Sequence, residues 1–93
     1  MKFAICNEVF EGWTIDDSIK FVAETGYDAI EVAPFTLAQY VTEVPVEERH
    51  RIRGVAVDNG IGISAVHWVL IKTEGMYMTH TDPEIRRKTA DSF

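Results

Sequence analysis

Gly26-Tyr27-Asp28-Ala29-Ile30-Glu31-Val32-Ala33 and its weaker echo, Gly60-Ile61-Gly62-Ile63-Ser64-Ala65-Val66-His67, decide how this chain folds. In each, a glycine suited to closing a helix is followed at once by a short apolar run that reads as a strand. The two copies stand 34 residues apart, the size of one βα unit. Residues 28–33 are the expected strand in the first copy, closed by Pro34. In the second, the run from Ile61 to Ile71 is almost entirely apolar, as a parallel strand covered on both faces would be.

Working outward, residues 2–6 (Lys-Phe-Ala-Ile-Cys) are a further apolar run, ended by Asn7 and Glu8. Thr14 is a good helix N-cap, and Asp16 and Asp17 put negative charge where the helix dipole favours it. Ile15, Ile19, Val22 and Ala23 share one buried stripe, so a helix is predicted over 15–25, stopped by Gly26. Between Phe35 and Val44 the pattern is mixed, with room for one short helical turn. A second helix begins near Pro45, turns Ile52, Val55 and Ala56 inward, and ends at Asp58-Asn59-Gly60. Thr81-Asp82-Pro83-Glu84 opens a third, with a capping box expected, and that helix is predicted to continue to Phe93 without a closing signal. The spacings Asp16/Lys20, Glu47/Arg51 and Glu84/Lys88 predict i,i+4 ion pairs on solvated helix faces. Strand, helix, strand, helix, strand, helix is the order of an α/β domain, a parallel βαβαβα arrangement with right-handed crossovers.

The 34-residue alignment assigns side chains to faces. Ala29, Glu31 and Ala33 should share one face with Ile63, Ala65 and His67, while Ile30, Val32, Val66 and Trp68 meet the helices. Polar groups then gather near the carboxyl ends of the strands, where α/β folds bind ligands. Glu31 is either a ligand-contacting carboxylate or the partner of an Arg or Lys on a neighbouring strand, since an unpaired buried carboxylate is costly. His67 is either a hydrogen-bonded core residue or a group that meets a sugar hydroxyl or supplies one metal ligand. Asn7 and Glu8 offer a donor, several acceptors and a charge at the same end, a set suited to polyol hydroxyls, or else they form an ordinary turn. Trp13 and Trp68 fit core packing better than stacking on a sugar ring. Cys6 has no basic neighbour in sequence to activate it as a nucleophile.

Composition narrows the classes. Nine Lys and Arg against fifteen Asp and Glu give a net charge of −6, which argues against a nucleic-acid partner. A hydrophobic fraction of 46% argues against a disordered chain. No run reaches the about 18–20 apolar residues that span a bilayer, and Met1-Lys2 is followed by too short an apolar stretch for a secretory leader. One cysteine forms no internal disulfide and no Cys-based zinc cage, which suits a cytoplasmic protein. Three βα units alone would leave one sheet face and both edges open, so either a partner chain covers them or further units of a barrel do.

Cys6-Asn7-Glu8 with Gly12-Trp13, then Glu31-Val32-Ala33-Pro34-Phe35-Thr36-Leu37-Ala38, resemble the start of bacterial sugar phosphate isomerase/epimerase proteins. His67-Trp68, Lys72-Thr73-Glu74-Gly75 and Asp82 continue the match, so that it covers nearly the whole chain. That family belongs to the xylose isomerase-like TIM-barrel superfamily, which includes the endonuclease IV type of apurinic endonucleases. The resemblance implies the first three units of a (β/α)8 barrel of roughly 250 residues, incomplete here. It implies isomerisation or epimerisation of a sugar or polyol through an enediol-type intermediate, with a divalent metal (Mn, Mg or Zn) polarising oxygen and carboxylates moving the proton. The family's metal ligands come mostly from later strands, so no metal is expected on this chain alone, nor activity. Asn7, Glu8, Glu31, His67 and Trp68 are the expected substrate-binding residues, and His67 carries the further possibility of metal binding known in the endonuclease relatives. The rival reading is a small non-catalytic α/β binding or assembly module that completes its sheet by self-association through its open edges.

Overall fold

Thr14 starts the first helix because its hydroxyl accepts the otherwise unpartnered amide of Asp17 at 3.1 Å. In the computed structural model, which describes residues 1–93, this helix (α1) spans Ile15–Thr25. Gly26 closes it at φ 99°, a conformation that strains any side chain, and the chain turns directly into the next strand. Three strands, β1 (Ala4–Cys6), β2 (Ala29–Val32) and β3 (Gly62–Val66), form one parallel sheet in the order β1-β2-β3. Two further helices are α2 (Val46–Asp58) and α3 (Pro83–Asp91). The fold is therefore α/β, with a three-stranded parallel sheet and three helices. No helix is long and apolar enough to cross a membrane.

The core lies on one side of the sheet. Ile15, Ile19 and Val22 of α1 and Ile52 and Ala56 of α2 pack on Ile30, Val32 and Ile61. Ile19 and Ile30 are completely buried. Burial alternates along β2, with Ile30 and Val32 inside and Ala29 and Glu31 on the other face, the period-two pattern of a strand covered on one side.

Strand three departs from the expectation of a long strand covered on both faces. It ends at Val66 rather than Ile71, and all five of its residues are exposed. Trp68 takes φ 57° and Lys72 φ 59°, so the apolar run leaves the sheet and turns back, held by the Ile71 amide on the Trp68 carbonyl. Within β3, Ile63 pairs with Ile30 but Ala65 pairs with Glu31, so Ser64 is an extra, bulged residue. Ile63 consequently sits on the helix-facing side and not beside Ala29, whose partner is Gly62. A fixed 34-residue offset misses this because it cannot register an extra residue within one copy.

The connections also refine the expectations. Residues 35–44 hold two 3-10 turns, Pro34–Thr36 and Val41–Glu43, where one was expected. At α3 the N-cap is Asp82, whose carboxylate accepts the Glu84 amide at 2.9 Å, so the Thr81–Glu84 capping box does not form. This helix ends at Asp91, short of Phe93, and Ser92 closes it by donating its hydroxyl to the Thr89 carbonyl.

None of the three expected i,i+4 ion pairs forms. Arg51 reaches instead across to Asp16 of α1 and back to Glu48, both at 2.7 Å, and Arg87 takes Glu84 and Asp91. Arg51 thereby ties α1 to α2. Its hydrogen bond holds the Glu48 carboxyl below the ordinary carboxylate range. A depressed folded pKa contributes stability above the unfolded value near 4.5, which is lost as pH falls through the folded value. The pair is exposed, so the expected effect is small and screened by salt. Arg51→Gln should flatten that part of the acid limb in urea melts at low salt, and the difference from the parent chain should shrink at 1 M salt, where the Debye length falls to about 3 Å.

Candidate functional site

Glu31 is the one charged residue of β2. Its neighbours Ile30 and Val32 face the helices, which puts the carboxylate on the open face of the sheet. In register it lies between Cys6 of β1 and Ala65 of β3, two small side chains that leave space around it. His67 follows β3 directly and extends the ladder, its amide donating to the Val32 carbonyl at 2.8 Å. Glu8 belongs to the 3-10 turn Asn7–Val9 that follows β1. The strand β2 and the turns that follow β1 and β3 thus deliver Glu31, Glu8 and His67 to one place near the carboxyl end of the sheet.

Their geometry is specific. Nδ1 of His67 lies 3.4 Å from Oε1 of Glu31, and Nε2 lies 3.9 Å from Oε1 of Glu8. Each side chain keeps 28–31% of its surface exposed. The separations are those of ion pairs and exceed the usual hydrogen-bond length, so every group retains capacity for a ligand hydroxyl. The expected Arg or Lys partner for Glu31 is absent from its ion pairs; its partner is His67. Because the carboxylates face opposite nitrogens of one ring, the three groups do not converge on a point. They do not fit a single-ion site, and no group of three metal-ligating side chains does.

Trp68 stacks on the His67 ring, with centroids 4.9 Å apart and planes 23° from parallel. It is 51% exposed, and Trp13 is 48% exposed, so the expectation that both are core residues is corrected. Trp13 packs against Phe10 and Phe21 at the surface beside α1. Trp68 has no such cover: its φ of 57° costs a bulky residue about 1–3 kcal/mol, and the conformation turns the ring back over the imidazole.

Asn7 has another task from the one expected of it. It is buried, its Oδ1 accepts the Ala33 amide at 2.8 Å, and its Nδ2 donates to the Thr36 hydroxyl at 2.8 Å. Thr36 in turn donates to the Ala33 carbonyl. Buried and with both ends of its amide engaged inside the chain, Asn7 serves the fold. It locks the turn after β1, which carries Glu8 to the His67 ring, to the turn after β2. Thr36 is the residue that sequence reasoning missed, because its partner stands 29 residues away.

Cys6 lies below this cluster. Burial, together with the nearby carboxylates of Glu8 and Glu31, pushes its thiol pKa up, although backbone hydrogen bonds at Glu8 and Asn7 oppose the shift. A thiol so placed is a poor nucleophile. At the same end of the sheet, the Lys72 ammonium sits 4.5 Å over the Phe35 ring, joining the loop after β3 to the turn after β2. Neither a protein-family model nor a curated protein nor a solved structure matches the chain.

Proposed function

We propose that this chain is the amino-terminal part of a sugar phosphate isomerase/epimerase-like (β/α)8 barrel, and that Glu8, Glu31, His67 and Trp68 form a substrate-binding wall of its mouth. One observation carries the reading: an imidazole flanked by two carboxylates and backed by an exposed indole, at the carboxyl ends of three parallel strands. Carboxylates and imidazole accept and donate to vicinal hydroxyls, and the indole face takes the C–H side of a polyol. Glu31 and His67 are close enough to pass a proton between them once a hydroxyl bridges the pair. The family's divalent metal would need ligands other than this trio, so the role of the residues here is to orient substrate. A cytoplasmic location accords with the lone thiol.

The test is a titration of the 93-residue chain with xylitol and with D-fructose, followed by NMR of the His67 ring and Trp68 indole signals. Weak, saturable shifts confined to Glu8, Glu31, His67 and Trp68 are expected, and His67→Ala should abolish them. No shift up to saturating sugar, or shifts only elsewhere, would overturn the reading. Metal analysis of the same samples should find no stoichiometric Mn, Mg or Zn; one tightly held ion per chain would count against it.

A second reading has its own support: β3 is exposed along its whole length, as an unpaired edge. A small assembly module would cover that edge with another copy of itself. Sedimentation of the titration samples separates the two, since a discrete dimer insensitive to sugar favours the module.

A further inference from the structure

The opposite, helix-facing side of the sheet contains a cavity of about 400 Å³ between β2, β3, α2 and the residues after α3. Val32, Leu37, Val44, Ile52, Ile63 and Val66 give it apolar walls. Size and lining are those of a small-molecule site, which holds an apolar body and fixes it with a few polar groups. The bulge at Ser64 contributes by turning Ile63 to this side.

Two charged residues reach the wall, Arg49 and Asp91. Asp91 already faces Arg87 at 3.4 Å. Arg49 takes part in none of the chain's ion pairs, although the chain carries an excess of carboxylates. Its Nε donates to the Val44 carbonyl at 2.9 Å and Nη2 to the Val41 carbonyl at 3.4 Å. Those two bonds fix the plane of the guanidinium and leave Nη1 without a partner. A preoriented cation at the rim of an apolar cavity matches an amphipathic anion, because a carboxylate accepts from the free side of the fork while its hydrocarbon body fills the space.

We propose that this cavity binds a small apolar monocarboxylate, with the carboxylate on Arg49 and the hydrocarbon between Val32, Ile52 and Ile63. The site is separate from the Glu31–His67 cluster, which lies on the other face of the sheet, and does not depend on how that cluster is read.

Calorimetric titration of the full chain with cyclohexanecarboxylate, and with its uncharged primary amide, tests the assignment. One acid should bind per chain, about tenfold more tightly than the amide, the difference one charge-assisted hydrogen bond makes. Arg49→Gln should bring the acid down to the level of the amide, with circular dichroism confirming that the variant is folded. Asp91→Asn leaves the Arg49 tethers intact and should strengthen binding of the acid but not of the amide, by removing a like charge from the rim. Equal binding of acid and amide, no saturable binding of either, or indifference of the acid to both substitutions would overturn the proposal. So would a dimer that dissociates as the acid binds, because the cavity would then belong to a second copy of the chain.

Discussion

Ile30→Ala should lower the unfolding free energy by about 3–4 kcal/mol, the cost of truncating a large buried aliphatic side chain where neighbours cannot collapse to fill the space. Ile30 is completely buried in the central strand, with Ile5 beside it on β1 and Ile63 on β3, and it belongs to the cluster formed by α1 and α2. Removing three carbons there opens a cavity bounded by sheet on one side and both helices on the other. A chain of this size holds only about 5–10 kcal/mol in all, so the loss is a large share of it. Urea melts followed by far-UV circular dichroism read it directly. Val57→Ala, an exposed position on α2, serves as the control and should stay within about 0.5 kcal/mol. Equal midpoints for the two variants would mean that the core does not lie where Ile30 places it.

Asn7→Ala should cost about 2–3 kcal/mol, more than an average exposed polar residue would, because it strands a buried partner. The Ala33 amide loses its acceptor and the Thr36 hydroxyl loses a donor, both beside the end of the sheet. Thr36→Val removes only the outer half of the same network, and about 1 kcal/mol is expected. The order of the two is the informative result. If Asn7 were a surface group waiting for substrate, its removal would leave stability alone, and Thr36→Val would be the costlier change.

Elements written in local signals are legible in the sequence, and α1 is the best case. A cap, an acidic first turn, an i,i+4,i+7 stripe and a terminal glycine all act within a few residues of one another, and the observed limits of Ile15 and Thr25 agree with the reading. The parallel order of the strands follows in the same way from alternating periods. By contrast, the run from Ile61 to Ile71 misleads because composition cannot reveal a backbone reversal at Trp68, a conformation that only surrounding contacts impose. Arg51 misleads because its strongest partner, Asp16, is far away in sequence and next door in space. At the candidate site, the common location of Glu8, Glu31 and His67 was legible from strand ends, while the pairing of one ring with two carboxylates was not. The polarity and position of Asn7 suit a ligand or an ordinary turn equally, and only the burial of its amide shows what that polarity serves.

The one-residue irregularity at Ser64 has a consequence for how this sequence can vary. Side chains on a strand swap sides with every residue added or removed. Because Ser64 is the extra residue, a chain lacking it would keep the pairs Ile63–Ile30, Ala65–Glu31 and Val66–Val32 in a regular ladder, and the imidazole would stay on the Glu31 face. Loss of this residue should therefore be tolerated, whereas loss of Val66, a paired residue of the same strand, would turn the imidazole toward the helices and dismantle the cluster while leaving nearly every letter of the sequence in place.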